Sequence, residues 1–362
     1  MKNSNLAANA LIAEIDKIAA AYGLIFVGIS DLDMHLEAIR FNEWIAEGRQ
    51  AGMDWMEKYP DIRAKPNRLL EGAKSALIFA FPYFLGDRWS RGKLEPSPKV
   101  AQYARLRDYH KFLRSKLTGA QQGLADLLGS DHRFRIAIDS APVLERALAA
   151  KTGSMFIGKN TCAIDPKRGS FFLLGEILTT WFDPQLAKSE PSTHSERKDS
   201  GGCGTCRRCQ VHCPTGALDK DYQIDARKCL SYWTIENRGE IPTEYWPWIA
   251  RYIFGCDICQ LVCPYNRGIT TSEESKSLMK IEDFDLFEVA TMDQEKYEII
   301  FGGTPMTRAK RSGLRRNAII AAVVRGESKT IQILDILMTD DDPIVSATAK
   351  TAKFFIKNNK NS

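Results

Sequence analysis

The sequence predicts an α/β domain over residues 1–185, a cysteine-rich, ferredoxin-type module over 186–268 and a helical, HEAT-like region over 269–362. Three observations carry this. Short apolar runs alternate with amphipathic helical stretches in the first half of the chain, the pattern of helices layered on a sheet. Eight of the nine cysteines then fall between Cys203 and Cys263. Beyond them, GLRRNAIIAAVVRG and DDPIVSATAKTAKFFIKN, with IQILDILMTD between, read as one and a half to two stacked helix pairs rich in small residues.

Taken in order, residues 6–22 form the first expected helix, with Leu11, Ile12, Ile15, Ile18, Ala19 and Tyr22 at helical spacing and Gly23 as its stop. LIFVGIS (24–30) is an apolar run bounded by turn residues and reads as a buried strand. A second helix is expected over 34–48, ending at Gly48. SALIFAFPY (75–83) is the next strand, stopped by Pro82, and a Gly/Pro/Arg-rich loop follows from Gly86 to Pro98. Residues 105–128 read as a long helix closed by Gly129. FRIAI (134–138) is a third strand. SAPVLERALAAKTG (140–153) reads as a helix with Ser140 as N-cap and Pro142 in its first turn. SFFLLGEILTT (170–180) is a fourth strand, and the polar stretch 186–202 is a loop into the cysteine module.

The composition, 44% hydrophobic and 26% charged over 362 residues, suits a soluble protein of two or three domains. The N-terminal stretch carries Glu14 and Asp16 and lacks the apolar core of a signal peptide. No run approaches the ~20 apolar residues of a membrane span. A net charge of +5 is too mild to imply a nucleic acid by itself. Its distribution is more telling, because Arg308, Lys310, Arg311, Arg315 and Arg316 crowd one short segment.

The cysteines form a C-x2-C-x2-C-x3-C-P run (Cys203, Cys206, Cys209, Cys213), a lone Cys229, and a C-x2-C-x3-C-P run (Cys256, Cys259, Cys263). This is the spacing that holds two [4Fe–4S] clusters, in which the fourth cysteine of a run crosses to the other cluster. One cluster is therefore expected on Cys203, Cys206, Cys209 and Cys263, the other on Cys213, Cys229, Cys256 and Cys259. Zinc sites also use CxxC pairs, but seldom three cysteines at successive three-residue steps before C-P. Disulfides belong mainly to small secreted domains, whereas clusters and free thiols suit a reducing cytoplasm.

Outside the cysteines the reading is more open. Asp139 ends a strand, the position where open α/β sheets bind ligands, and could supply a proton; it could equally cap the helix that follows. GKNTCAI (158–164) is a polar loop without the pattern of a P-loop, and Cys162 within it reads as a small buried residue. His110 lies on a basic, aromatic segment and is either structural or a ligand. YWPWI (245–249) could stack on bases, though core packing is the commoner role.

Several separated segments agree with one family. YARLRDYHKFLR (103–114), DSAPVLER (139–146), GKNTCAI (158–164), GSFFLLGEILT (169–179), CLSYWTIENRGEIP (229–242) and the two cysteine runs resemble the epoxyqueuosine reductases, which are similar in part to cobalamin-dependent reductive dehalogenases. The resemblance implies a cobalamin in the N-terminal α/β domain. It implies reduction of epoxyqueuosine to queuosine in tRNA, with electrons from an external low-potential donor through the clusters. It makes Asp139 the proton donor and Arg63, Tyr103, Asp139, Lys159, Asn160 and Ser231 the cobalamin contacts, with His110 behind them. Arg308, Lys310, Arg311, Arg315 and Arg316 would hold the tRNA backbone. The cluster containing Cys229 is expected nearer the cobalamin. Two rivals share features: a small-molecule, dehalogenase-like cobalamin reductase, which needs no basic tail, and a ferredoxin-type carrier, which needs no α/β domain.

Overall fold

The computed structural model describes residues 2–87, 97–187 and 202–359, so most of the two expected loops at 86–98 and 186–202 lies outside the described residues. The N-terminal part follows the expected order of elements: α1 (Lys2–Ala21), β1 (Ile25–Asp31), α2 (His35–Ala46), β2 (Ser75–Pro82), α3 (Tyr109–Leu128), β3 (Phe134–Ala137), α4 (Glu145–Lys151) and β4 (Phe172–Thr179).

The four strands make one sheet in the order β1–β2–β4–β3, and every pairing in it is antiparallel. The sequence left strand direction open, and the sheet is not of the parallel kind. The rule that placed a ligand site beyond Asp139 belongs to parallel sheets and does not apply here.

β2 is buried on both faces, which is why it reads as an unbroken apolar run. Leu77, Phe79 and Phe81 pack on one side with Ile15 and Ala19 of α1 and Leu113 and Leu117 of α3. Ala76, Ile78 and Ala80 pack on the other with Leu148 and Ala149 of α4. β1 carries an irregularity between Phe26 and Gly28. Gly28 has φ +146°, and a Cβ there would lie 2.8 Å from Cβ of Thr152, so the close approach of the chain beyond α4 needs glycine.

The expected helix over 140–153 begins five residues late, at Glu145. Asp139 has φ +35°, a left-handed conformation that turns the chain before a helix can start. The Ser140 hydroxyl donates to the Ile138 carbonyl, 3.3 Å away, so Ser140 is not an N-cap. Leu144 occupies that position with no side-chain cap.

The cysteine module and the C-terminal helices share one core. Trp246, Ile253 and Phe254 pack with Leu314, Ile319 and Ile320 of α5 (Lys310–Arg325) and Ala349 and Ala352 of α6 (Pro343–Asn359). The boundary expected at 268 therefore divides sequence motifs and not the apolar core. YWPWI belongs to this core through Trp246 and Ile249.

Candidate active site and cluster ligands

The eight thiols fall into two groups by the charges that act on them. Cys209 feels Cys203, Cys206 and Cys263. Cys256 feels Cys213 and Cys229, and Cys259 feels Cys256 and Cys229. Burial pushes the Cys209 thiol up to about 12 and the Cys263 thiol up to about 11, so iron binding is what would make them thiolates. Among the described residues no three His, Cys, Asp or Glu converge on a single metal ion; a four-iron cubane is a larger body that takes its thiolates at its corners.

Main-chain amides aim at these sulfurs. The Lys159 N–H donates to Cys203 Sγ, 3.3 Å away, and those of Ser231 and Tyr232 donate to Cys229. Such bonds help set the potential of a cluster. Tyr232–Glu236, directly after Cys229, is a short π-helix, a form that recurs at functional sites.

Three of the residues expected to touch cobalamin are committed to this module instead. The Lys159 ammonium donates to the Gly204 carbonyl (3.0 Å) and pairs with Asp221 (3.1 Å). Asn160 Nδ2 donates to the Cys259 carbonyl (3.2 Å). The Ser231 hydroxyl bonds to Cys229. Their polar atoms brace the cluster loops.

Asp139 lies in a cavity of about 160 Å³ whose walls include Tyr83, Tyr109, Glu145, Cys162 and Gln260. The Tyr109 hydroxyl donates to Asp139 Oδ2 at 2.6 Å, and His110 Nε2 lies 3.1 Å from the same oxygen. His110 Nδ1 is 3.0 Å from Asp108, and the Tyr109 and His110 rings stack with centroids 4.3 Å apart. Asp108 is the N-cap of α3 and accepts the His110 N–H, so the helix start itself delivers Tyr109 and His110 to Asp139. Tyr103 packs edge-on against both Tyr83 and Tyr109.

Burial pushes the Asp139 carboxyl up, but the hydrogen bonds from His110 and Tyr109 outweigh it and hold it below its ordinary value. The same bond to Asp139 raises His110 above its ordinary value, against burial. Sequence reading missed Tyr109 altogether; the signal was the Asp-Tyr-His triplet at a helix start. It also missed that Cys162 lines this cavity and shares a hydrogen bond with Cys259, one of the thiols expected on a cluster.

The basic segment divides. Arg308 is exposed; its Nε donates to both oxygens of Glu236 (2.9 and 3.1 Å), and its guanidinium lies 5.4 Å over the Trp55 ring. Its charge is among those that lower Asp139. Lys310 is exposed, and Arg311 is half-buried and donates to the Met292 carbonyl. Arg315 and Arg316 are buried, which corrects the expectation that they hold tRNA. Arg315 is bound to the Ala290 carbonyl and to Asp340, and Arg316 donates to the carbonyls of Trp233, Asn237 and Gly239.

With this geometry in view, comparison with known proteins is specific. Residues 202–266 match the family described as "4Fe-4S double cluster binding domain", and residues 63–140 match "Epoxyqueuosine reductase QueG, DUF1730". The epoxyqueuosine reductase of Escherichia coli K12 is 35% identical over 86% of this chain and 81% of its own length. The chain belongs to the epoxyqueuosine reductase family. A solved epoxyqueuosine reductase bound to an epoxyqueuosine-modified tRNA-Tyr stem loop superposes with TM-score 0.76 at 25% identity, over 95% of this chain and 89% of that one. A Bacillus subtilis epoxyqueuosine reductase, described with its aspartate catalytic loop swung out of the active site, gives TM-score 0.77 at 25% identity over 95% and 90%. Membership makes this chain an iron–sulfur oxidoreductase.

Proposed function

We propose that this protein reduces the epoxide of epoxyqueuosine in tRNA to the alkene of queuosine. The observation that carries the reading is that proton supply and electron supply meet at one cavity. Asp139 with Tyr109 and His110 forms one wall, and Cys162 and Gln260, bonded to or adjoining the cluster ligand Cys259, form another. The reaction needs both: two electrons and two protons convert the epoxide to an alkene, and the oxygen leaves as water. Electrons from an external low-potential donor enter at the cluster on Cys203, Cys206, Cys209 and Cys263. They leave by the one on Cys213, Cys229, Cys256 and Cys259, the nearer to the cavity.

The raised His110 and the lowered Asp139 put the resting proton on the imidazolium. His110 Nε2 passes it to Asp139 Oδ2, and Asp139 delivers it to the epoxide oxygen as the first C–O bond breaks. Tyr109 holds that oxygen of Asp139 in place. The solved structure with a swinging aspartate loop agrees with a mobile proton donor.

A cobalamin would find two donors left over in the structure. Among the described residues Arg63 Nε and Gln102 Nε2 are buried without hydrogen-bond partners, and a corrin ringed by amides and carrying a phosphate would offer acceptors for both. Arg63, Gln102 and Tyr103 would hold it, and bound there it supplies a strong reductant for the epoxide. The tRNA backbone is met by Arg308 and Lys310, the exposed members of the basic segment, with Arg308 beside the extruded base. No helix among the described residues is long and apolar enough to cross a membrane, and the thiols and clusters suit a reducing cytoplasm.

The test is incubation of cluster-loaded protein with epoxyqueuosine-bearing tRNA, cobalamin and a low-potential reductant, followed by nucleoside mass analysis. Loss of one oxygen from the modified base is expected; an unchanged nucleoside would overturn the reading.

A further inference from the structure

Glu176 sits in the middle of β4, paired with Ile78 of β2 and Ala137 of β3. It is 0% exposed, and among the described residues neither carboxylate oxygen has a partner beyond its own main-chain N–H. Leu174 and Leu178 flank it on the same face of the strand, in the apolar layer covered by Leu148 and Ala149 of α4. An unpaired acid in such a layer costs stability, and an apolar side chain would pack there without that cost. The fold gives no reason for it.

The charges that act on Glu176 are Glu145 and Asp139. Glu145 is the first residue of α4, and its carboxyl lines the cavity and accepts the Asp139 main-chain N–H. Arg146 beside it donates to the Thr161 carbonyl at 2.6 Å. The three acids thus run from the cavity, at Asp139 and Glu145, into the sheet, at Glu176.

We propose that Glu145, backed by Glu176, stores the second proton that the reduction consumes, an inference that rests on the reaction assigned above. Burial, then the charge of Asp139, pushes the Glu145 carboxyl up to about 7, against the pull of Arg146 and His110. Burial, with the charges of Glu145 and Asp139, pushes Glu176 well above the carboxylate range. Both are acids that carry protons near neutrality.

The balance closes with the first proton from His110 through Asp139, which leaves the opened oxygen as a hydroxyl. Glu145 gives the second proton to that oxygen as the remaining C–O bond breaks, and water departs. Glu176, unbonded to Glu145 at rest, swings toward it and reprotonates it. Both electrons come through the clusters. The charge then left on Glu176 is unfavourable in its apolar layer, so it recovers a proton through Glu145 once the product leaves the cavity.

The test uses cluster-loaded Glu145→Gln and Glu176→Gln protein with the modified tRNA. In Glu145→Gln, kcat is expected to fall ~tenfold or more while KM for the tRNA holds. The parent's loss of rate above a pH of about 7 should become shallower in that variant, leaving only the part set by His110. In Glu176→Gln, kcat falls while that loss of rate remains. Parental kcat and pH profile in both variants would overturn the proposal. An infrared difference between parent and Glu176→Gln at neutral pH should show a protonated carboxyl, and its absence would equally overturn it. Glu176→Leu should resist denaturant better than the parent; weaker resistance would show a structural acid and sink the idea. If the parent leaves the modified tRNA unchanged but the infrared band is present, the reaction assignment fails and takes the proton store with it, leaving only the neutral buried Glu176.

Discussion

His110 Nε2 lies 3.1 Å from the Asp139 carboxylate, and that one contact moves both groups. It is the largest cause raising His110 and the larger of the two hydrogen bonds lowering Asp139. The raised His110 stabilises the fold below the ordinary histidine value of about 6.5, and that share is lost as pH rises through its folded value. The lowered Asp139 stabilises above the ordinary aspartate value of about 3.9, and that share is lost as pH falls through its folded value. The pair is therefore intact in the mildly acid range between them. Asp139→Asn should return His110 toward its ordinary value. Diethyl pyrocarbonate, which modifies neutral imidazole, should then react faster at His110 at mildly acid pH, with His110→Gln as the blank.

The backbone at Asp139 separates strain from chemistry. With φ +35°, a residue other than glycine pays a conformational cost there. Asp139→Gly loses the bonds to His110 and Tyr109 but relieves the strain, which offsets up to ~1 kcal/mol of that loss; Asp139→Asn keeps the strain and has no such offset. Both should lose turnover, by ~100-fold or more, if the carboxyl carries the proton. Denaturant midpoints and single-turnover rates on the two variants check this. A fully active Asp139→Asn would remove Asp139 from the proton path.

The sequence carried the elements and the thiol spacing well, because both are local. Apolar runs and helical periodicity located the long strands and helices of the N-terminal part to within a few residues, except α4, and missed the short helix Pro60–Ala64 and the two-residue strands Lys99–Val100, Phe156–Ile157 and Ala163–Ile164. Strand direction is not local: nothing in LIFVGIS or SFFLLGEILTT says which way a neighbour runs, so the antiparallel sheet was out of reach. The late start of α4 was hidden because a left-handed aspartate looks like any N-terminal aspartate. Arg315 and Arg316 looked like surface residues because charge is read as exposure. On α5 they fall within the buried run Gly313–Val323, and they stay there because carbonyls of a distant segment satisfy them.

Arg316 and Arg308 should accordingly fail in opposite ways. Arg316 is 1% exposed and donates to three carbonyls of the segment after Cys229, so Arg316→Ala should cost ~3 kcal/mol or more of stability. Denaturant unfolding measures it, and a cost below ~1 kcal/mol would show those bonds to be dispensable. Arg308→Ala and Lys310→Ala should leave unfolding within ~1 kcal/mol of the parent, since both groups are exposed. Each should instead lower the slope of log tRNA affinity against log salt by ~1. An unchanged slope in both would place the tRNA backbone on another surface.

The direction of electron flow through the two clusters rests on Cys229 and Cys203, which belong to different thiol groups. Anaerobically purified parent should hold about eight irons, and Cys229→Ser or Cys203→Ser about four each. The two variants should differ in what remains. Without the cluster on Cys213, Cys229, Cys256 and Cys259, no electron can reach the cavity where Cys162 bonds to Cys259, so Cys229→Ser should be inactive with any donor. Cys203→Ser loses only the intake cluster. It should fail with a protein donor yet retain part of its rate with a small chemical reductant able to reach the inner cluster directly. Iron analysis with turnover under both kinds of donor decides the matter, and equal loss in the two variants under the chemical reductant would reverse or abolish the assigned order.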